Sequence, residues 1–281
     1  MDRGIRLQDQ TLARLLAVTA AMHVIFAVWP SVDISVSRYF LLADGSFWLS
    51  HSVFAEEVRM PIWLASVALA LFSGVMLCAS LLRGALAKTS WRLWAFIATT
   101  YLLGPGLLVN GILKQNWGRA RPVTIVDFGG DKLFTPPFEI AGQCAGNCSF
   151  VSGEAASAAV MAIVLAICFG GGIAKQWRLV AYVGLGAVFI LASGLRVATG
   201  RHFLSDVIFA GMFMLIIARL AYRGFEVKVP QSKALLVDIW ADLRGPSGPI
   251  GQLAAGMPDA QQSSVSLSVQ QSEPLQNQAT G

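Results

Sequence analysis

Three short polar stretches stand at the ends of long apolar runs, and each contains residues that could do chemistry. They are Lys114-Gln-Asn-Trp-Gly-Arg-Ala-Arg-Pro122, Ser149-Phe-Val-Ser-Gly-Glu154 and Arg196-Val-Ala-Thr-Gly-Arg-His-Phe-Leu-Ser-Asp206. Arginine and lysine side chains bind phosphate oxygens through charge-assisted hydrogen bonds. The same cations at helix ends could instead be anchors at a membrane surface. A histidine and two carboxylates beside them favour the phosphate interpretation, because these groups attack phosphorus or move protons.

The third stretch contains the candidate nucleophile. If a helix begins near His202, Asp206 lies one turn later on the same face. Its carboxylate could then accept a hydrogen bond from one imidazole nitrogen and leave the other nucleophilic. A purely structural hydrogen-bonded pair is the alternative. We predict that His202 attacks phosphorus and forms a phosphohistidine, which water then hydrolyses.

The remaining polar groups could bind the phosphate. Lys114, Arg121 and Arg196 supply positive charge. Ser152 and Gly153 begin an apolar run, and backbone N–H groups at a helix N-terminus bind anions. Phosphoryl transfer mainly requires positioning and charge stabilisation. The sequence has no cluster of carboxylates suited to a divalent cation, so we expect neither a metal nor another cofactor.

Composition indicates an integral membrane protein. The chain of 281 residues is 55% hydrophobic and 13% charged, against about 25% charged residues in a typical soluble domain. Six apolar runs are long enough to cross a bilayer core of about 30 Å, so we predict an all-α, six-transmembrane-helix bundle. The runs are 11–29, 61–82, 93–113, 155–174, 179–195 and 203–222.

The distribution of lysine and arginine predicts the orientation of these spans. Basic residues are more frequent in the loops that share a side with both termini, which places the termini in the cytoplasm. The three polar stretches then lie together on the outer side, and the basic excess indicates a membrane surface rather than nucleic acid as partner. Residues 1–223 are predicted to form the membrane domain. Residues 224–281 are predicted to be a largely disordered cytoplasmic tail, with a short helix over 234–243.

A pair of cysteines lies in the long outer loop between the third and fourth spans. Cys144 and Cys148 are spaced C-x3-C. They could form a disulfide in an oxidising compartment. Two free thiols are the main alternative, because no further ligand stands near to complete a metal site.

The three motifs, taken in order, resemble those of the type 2 phosphatidic acid phosphatase superfamily, which includes membrane lipid phosphatases and the vanadium haloperoxidases. The resemblance covers the six-span layout and roughly residues 10–222. It implies that His202 is the nucleophile and Asp206 its orienting partner. It also implies that phosphate is bound by Lys114, Arg121, Ser152, Gly153 and Arg196.

Two positions depart from the family pattern. Glu154 replaces the histidine that protonates the leaving oxygen, and Leu195 replaces a serine. A glutamate could be the acid if burial and a nearby phosphate favour its protonated form, although flanking cations oppose this. His51 in the first outer loop is an alternative acid. A protein that binds phosphate without turnover is a further alternative.

The start of the chain, the basic inner loops and the outer loop with its cysteine pair favour a bacterial inner-membrane enzyme whose active site faces the periplasm. The family resemblance suggests lipid A, undecaprenyl pyrophosphate, phosphatidate and phosphatidylglycerophosphate as substrates, and the long outer loop looks most like the lipid A phosphatase branch. Arg119 and Arg201 fall outside the matched positions and could contact a lipid headgroup or anchor the protein. A lipid phosphotransferase would use the same residues. A non-catalytic protein that binds or transports phospholipid is the alternative from another class.

Overall fold

The computed structural model of the protein describes residues 2–83, 89–228 and 232–244. Helices dominate these residues, whose β-structure is limited to two isolated bridges. Six helices are long and apolar enough to cross a membrane, namely Gln10–Val28, Val53–Arg83, Trp91–Asn116, Gly153–Gly170, Lys175–Ala198 and Leu204–Gly224. The predicted six-helix, all-α fold is therefore confirmed.

We number the helices in chain order. They are α1 (Asp2–Val28), α2 (Ser31–Tyr39), α3 (Val53–Arg83), α4 (Trp91–Asn116), α5 (Gly153–Gly170), α6 (Lys175–Ala198), α7 (Leu204–Gly224) and α8 (Ser232–Arg244).

Helix α5 lies at the centre of the bundle, in contact with α3, α4, α6 and α7. Its buried face is rich in small residues, Ala155, Ala156, Ala158 and Ala159. Small side chains let helix backbones approach closely, which favours packing between membrane helices. The start of α5 is therefore held near the ends of several neighbours.

Helix α4 changes its winding before it reaches the site. The segment Leu102–Leu113 is a π-helix that contains Pro105. The side-chain amide of Asn110 donates a hydrogen bond to the Pro105 carbonyl at 2.7 Å. π-Helical segments are rare and occur often at functional sites. Lys114 follows directly after this segment.

Helix α3 begins earlier than the sequence predicted. Its first residue is Val53, so Pro61 lies inside the helix rather than at its start. The added turns carry Glu56 and Arg59, which form an ion pair on the same helix. Residues 31–60, between the first two predicted spans, are thus helical at both ends, and Arg59 stands on a rigid element.

The predicted helix over 234–243 is confirmed as α8. Its Asp242 carboxylate accepts a hydrogen bond from the Thr89 N–H at 2.8 Å and pairs with Arg83 at 3.2 Å. These contacts hold α8 against the end of α3 and the start of α4. The segment 245–281, predicted to be disordered, lies outside the described residues, and the domain boundary after residue 223 stays a prediction.

Candidate active site

The predicted site residues lie together at one end of the bundle, where α4 and α6 end and α5 and α7 begin. Lys114 and Arg121 both donate hydrogen bonds to Asn147, at 3.1 Å and 2.8 Å. Arg196 lies 3.6 Å from Glu154. The convergence predicted from the spacing of the motifs is thus present in the structure.

Two glycines with positive φ shape the connections that deliver these residues. Gly118 has φ +68°, and a Cβ there would lie 1.5 Å from the carbonyl oxygen of Ala141. Gly200 has φ +66°, and its Cβ would lie 2.5 Å from the ring of Phe47. Only glycine fits such positions without strain. These turns lead the chain from α4 toward Arg121 and from α6 toward His202.

His202 is buried and neutral. Its Nδ1 lies 2.8 Å from the backbone carbonyl oxygen of Ser149, to which a protonated Nδ1 donates. That bond fixes the tautomer and leaves the lone pair on Nε2. Burial lowers the pKa of His202 to about 3, because the charged form loses its hydration. An imidazole that stays neutral at physiological pH is the form required of a nucleophile.

Asp206 does not orient the histidine by the predicted direct hydrogen bond. Its Oδ2 lies 3.6 Å from His202 Nδ1, which is too long for a hydrogen bond. The same oxygen accepts hydrogen bonds from the Ser149 hydroxyl at 2.5 Å and the Phe203 N–H at 2.9 Å. The prediction assumed a helix that begins near His202, whereas α7 begins at Leu204. Asp206 therefore caps its own helix, and a backbone carbonyl fixes the tautomer instead.

Arg119 lies inside the protein, so its predicted contact with a lipid headgroup is wrong. Its guanidinium is fully buried between Asp206, at 2.6 Å, and Asp33, at 2.8 Å. It also donates to the Thr135 carbonyl at 2.9 Å and lies over the ring of Phe203. This network links α2 to the start of α7.

Asp33 is the residue of this network that sequence reasoning missed. It lies on α2 and accepts hydrogen bonds from the backbone and side chain of Ser205. Burial raises the pKa of Asp33 above its ordinary value, and Arg119 opposes that shift. In the sequence, Asp33 was one of several carboxylates in a mixed outer segment, with no spacing that tied it to the motifs.

Two clefts open at this end of the bundle, and Asn147 lines both of them. The first has a volume of about 510 Å³ and is lined by residues that include Lys114, Gly153, Glu154 and Arg59. The second, of about 400 Å³, is lined by residues that include Arg121, Arg201 and Lys132. Arg201 thus lines an open cleft, as a residue that contacts a lipid headgroup must, and that role stays a prediction.

Ser152 and Gly153 are placed differently from each other. Ser152 is buried, its hydroxyl caps α5 by accepting from the Ala155 N–H, and its own N–H donates to the Asp206 carbonyl at 3.2 Å. Gly153 faces the first cleft, and a Cβ there would lie 3.4 Å from Lys114 Cε. A phosphate contact by Ser152 stays a prediction, whereas Gly153 leaves the approach to Lys114 open.

Glu154 lies between two arginines. Its Oε1 accepts a hydrogen bond from Arg59 at 2.9 Å and lies 3.6 Å from Arg196. Arg59 was missed as a site residue because the sequence placed it in an outer loop. A cation just before an apolar span was its only signal. His51, the alternative acid, is exposed and lines neither cleft.

Several cations of the site lack a full set of anionic partners within the described residues. Lys114 and Arg121 donate to neutral oxygens of Asn147. The buried Arg196 Nε has no hydrogen-bond partner among the described residues. Burial and the nearby Arg201 lower the pKa of Arg121. An unsatisfied buried donor costs about 1–3 kcal/mol, so an anion that accepts from these groups would stabilise the site.

Within the long loop between α4 and α5, a disulfide joins Cys144 to Cys148, whose Cα atoms are 5.7 Å apart. This is the pairing expected for an oxidising compartment. Among the described residues, no group of three or more histidine, cysteine or acidic side chains could hold a metal ion.

These features define a multi-pass membrane protein with a cationic pocket beside a neutral histidine. The chain belongs to the PAP2 superfamily, which its residues 91–230 match. A lipid A 4'-phosphatase of Francisella tularensis subsp. novicida is 40% identical over 130 residues, or 45% of this chain and 55% of that protein. A lipid A 4'-phosphatase of Rhizobium leguminosarum is 42% identical over 118 residues, or 42% of this chain and 48% of that protein.

The chain therefore spans about half the length of the curated relatives it matches. A solved structure of a transmembrane PAP2 type phosphatidylglycerolphosphate phosphatase from Bacillus subtilis is similar with a TM-score of 0.46 and 19% identity. The match covers 76% of this chain and 95% of the Bacillus subtilis chain. The chain is a multi-pass bacterial membrane protein, because it has six apolar helices long enough to cross a membrane and its relatives are bacterial.

Proposed function

We propose that this protein is a membrane lipid phosphatase that acts through a phosphohistidine. The observation that carries the proposal is the state of His202, which is neutral, locked with its proton on Nδ1 and close to the cations Lys114 and Arg196. A lone pair on Nε2 can attack phosphorus. The surrounding cations would hold the phosphoryl oxygens while charge shifts toward the leaving oxygen.

The reaction proceeds in two steps. In the first, a bond forms between His202 Nε2 and phosphorus, the bond from phosphorus to the lipid oxygen breaks, and that oxygen takes a proton. In the second, water gives a proton to the Glu154 carboxylate and attacks phosphorus, the phosphorus–nitrogen bond breaks, and inorganic phosphate leaves with His202 and the acid restored. Lys114, Arg121 and Arg196 stabilise the phosphoryl group in both steps. Glu154 is the group we assign to deliver the proton.

The substrate we favour is a phosphomonoester on a lipid A-type glycolipid. Support comes from two bacterial lipid A 4'-phosphatases at 40% and 42% identity. A pyrophosphate such as undecaprenyl pyrophosphate offers the same phosphoryl chemistry and is the second candidate. We place the active site on the periplasmic side and both termini in the cytoplasm. The charge distribution and the disulfide-closed loop both support this orientation.

One assay tests the proposal. Purified protein in detergent micelles is given a panel of lipid phosphates, and released phosphate is measured for wild type, His202→Gln and His51→Gln. The last is the matched control, because it removes an exposed histidine outside both clefts. We expect release by wild type and by His51→Gln, and none by His202→Gln, with an acid-labile phosphoprotein trapped only where His202 is present.

Other outcomes would change the assignment. Release that survives in His202→Gln excludes this nucleophile. Loss of phosphate release in the His51→Gln variant assigns the acid role to His51 instead of Glu154. If the wild type releases no phosphate from any lipid, the alternative of a phospholipid-binding protein is favoured. If the phosphoryl group passes to a second lipid instead of water, the protein is a phosphotransferase.

A further inference from the structure

The short loop Cys144–Ser149 contacts most of the charged groups of the site. It crosses the end of the bundle between the two clefts, and its disulfide joins Cys144 to Cys148. Asn147 lies inside the ring that the disulfide closes, and Ser149 follows directly after the ring. Each residue makes two separate contacts with predicted site residues. The sequence assigned a role to neither residue.

Asn147 spans the two phosphate-binding cations of the first motif. Its side-chain oxygen accepts a hydrogen bond from Lys114 Nζ at 3.1 Å. Its backbone carbonyl accepts one from Arg121 at 2.8 Å. Its φ of 51° lies in the left-handed region, which asparagine adopts more readily than most residues. One residue in an unusual backbone conformation thus sets the direction of both cations.

Ser149 supports the nucleophile and its neighbouring carboxylate. Its carbonyl oxygen accepts from His202 Nδ1 at 2.8 Å, and its hydroxyl donates to Asp206 at 2.5 Å. Its own N–H donates to the Arg119 carbonyl at 2.9 Å, and the N–H of Cys148 donates to the Lys114 carbonyl at 3.0 Å. The backbone of the loop is therefore tied to the first motif at two points.

The size of the ring indicates what the disulfide stabilises. Chain-entropy stabilisation of a whole fold grows with the length of the closed loop, and this one spans a sequence separation of only 4. Its effect on global stability should accordingly be small. Its effect on the local conformation of Asn147 and Ser149 should be large, because both adjoin Cys148.

We propose that the disulfide-closed loop is a positioning element of the active site, in which Asn147 aims the phosphate-binding cations and Ser149 aims His202. This inference rests on the proposed function. Opening the disulfide lets the loop relax, which misplaces the cations and the imidazole while the helices remain packed. A misplacement of about 1 Å can cost about 100-fold in rate.

The first test compares wild type before and after reduction with dithiothreitol, in detergent, with free thiols counted to verify reduction. We expect kcat/KM to fall by about 10- to 100-fold, with little change in the thermal midpoint and recovery on reoxidation. A Cys144→Ser/Cys148→Ser variant should show the same fall and no response to the reductant. The matched control, Cys78→Ser/Cys168→Ala, removes the free cysteines and should respond as wild type does.

The second test separates the two positioning residues. Asn147→Ala should mainly raise KM, because Lys114 loses its acceptor. Ser149→Ala keeps the carbonyl bond to His202 but removes the hydroxyl bond to Asp206, and it should mainly lower kcat and the rate of phosphohistidine formation. A merely structural role would lower the thermal midpoint without this split between KM and kcat.

Unchanged kcat/KM after verified reduction would overturn the inference, and so would a loss that is accompanied by collapse of the thermal midpoint. Failure of the proposed function is distinguishable, because the oxidised wild type would then release no phosphate from any lipid. In that case, the positioning role of the loop is tested by the affinity of the protein for inorganic phosphate, measured before and after reduction. Reduction should weaken that affinity, and an unchanged affinity would exclude the positioning role.

Discussion

Replacing Glu154 by glutamine tests the role in proton delivery that we propose for this carboxyl group. Glutamine has the same shape and can still accept a hydrogen bond from Arg59, but it neither carries charge nor acts as an acid. A positioned general acid contributes about 10²–10⁴-fold to the rate, equivalent to about 3–5 kcal/mol. We expect Glu154→Gln to lower kcat by such a factor for a lipid phosphomonoester.

The electrostatic surroundings of Glu154 change when a phosphate binds. In the ligand-free site, Arg59 at 2.9 Å and Arg196 at 3.6 Å stabilise the carboxylate. A phosphate dianion about 4 Å away would repel it by about 8 kcal/mol at an effective dielectric constant of about 20. Because the side chain is 22% exposed, solvent screening reduces that repulsion to roughly half. A bound phosphate therefore opposes the negative charge on Glu154 that the two arginines stabilise.

The assay compares two leaving groups. A lipid phosphomonoester leaves as an alkoxide that needs a proton, whereas a nitrophenyl phosphate leaves as a stable phenolate. Glu154→Gln should lower kcat for the first and leave the second within about threefold of wild type. Glu56→Gln is the matched control, since it removes the other carboxylate bound to Arg59, and it should retain activity on both. An equal loss on both esters, or full activity on the lipid, would refute the acid role.

Three further predictions concern stability and pH. Arg119→Ala leaves two carboxylates buried without their partner and should cost about 3–5 kcal/mol, or about 10 °C in thermal midpoint, whereas the exposed Arg201→Ala should shift the midpoint by less than about 2 °C. The pKa of His202 is lower in the folded protein, at about 3, than its ordinary 6.5, so the unfolded chain gains a proton first and stability should fall as pH drops from about 6.5 toward 3. The pH series of midpoints checks this, because the His202 contribution should be missing in His202→Gln. Asp242→Ala should lower the midpoint and leave kcat/KM unchanged, because its contacts with Arg83 and Thr89 lie at the other end of the bundle; a fall in kcat/KM would contradict that separation.

The gathering of the motifs at one end of the bundle could be predicted because each motif adjoins the end of an apolar run. Apolar runs of sufficient length must cross the bilayer, and six crossings alternate the side of successive loops. Lys114, Glu154 and His202 therefore had to share a side. No knowledge of side-chain contacts was needed for that step.

The partners of these residues could not be predicted in the same way. Whether Asp206 or a backbone carbonyl accepts from His202 depends on where α7 begins and on the path of a loop 53 residues earlier in the chain. The different orientations of Arg119 and Arg121, by contrast, are compatible with what the sequence shows. They are two residues apart with irregular backbone between them, so nothing required both to face the ligand, and Arg119 turns inward to Asp33 and Asp206.

The acceptor of the His202 proton has a consequence for how strongly Asp206 affects the rate. Where a carboxylate alone fixes the imidazole tautomer, its amide variant loses about 10⁴-fold in kcat through the wrong tautomer. Here the Ser149 carbonyl holds the Nδ1 proton, and no side-chain substitution removes it. Asp206→Asn therefore leaves the tautomer in place. It removes the negative charge at 3.6 Å from the ring and one of the two oxygens that accept from Arg119, Ser149 and Phe203. We expect kcat to fall by about 10- to 100-fold, or about 1.4–2.7 kcal/mol. A loss near 10⁴-fold in a variant that keeps its thermal midpoint would mean that Asp206, rather than the backbone, controls the tautomer during catalysis.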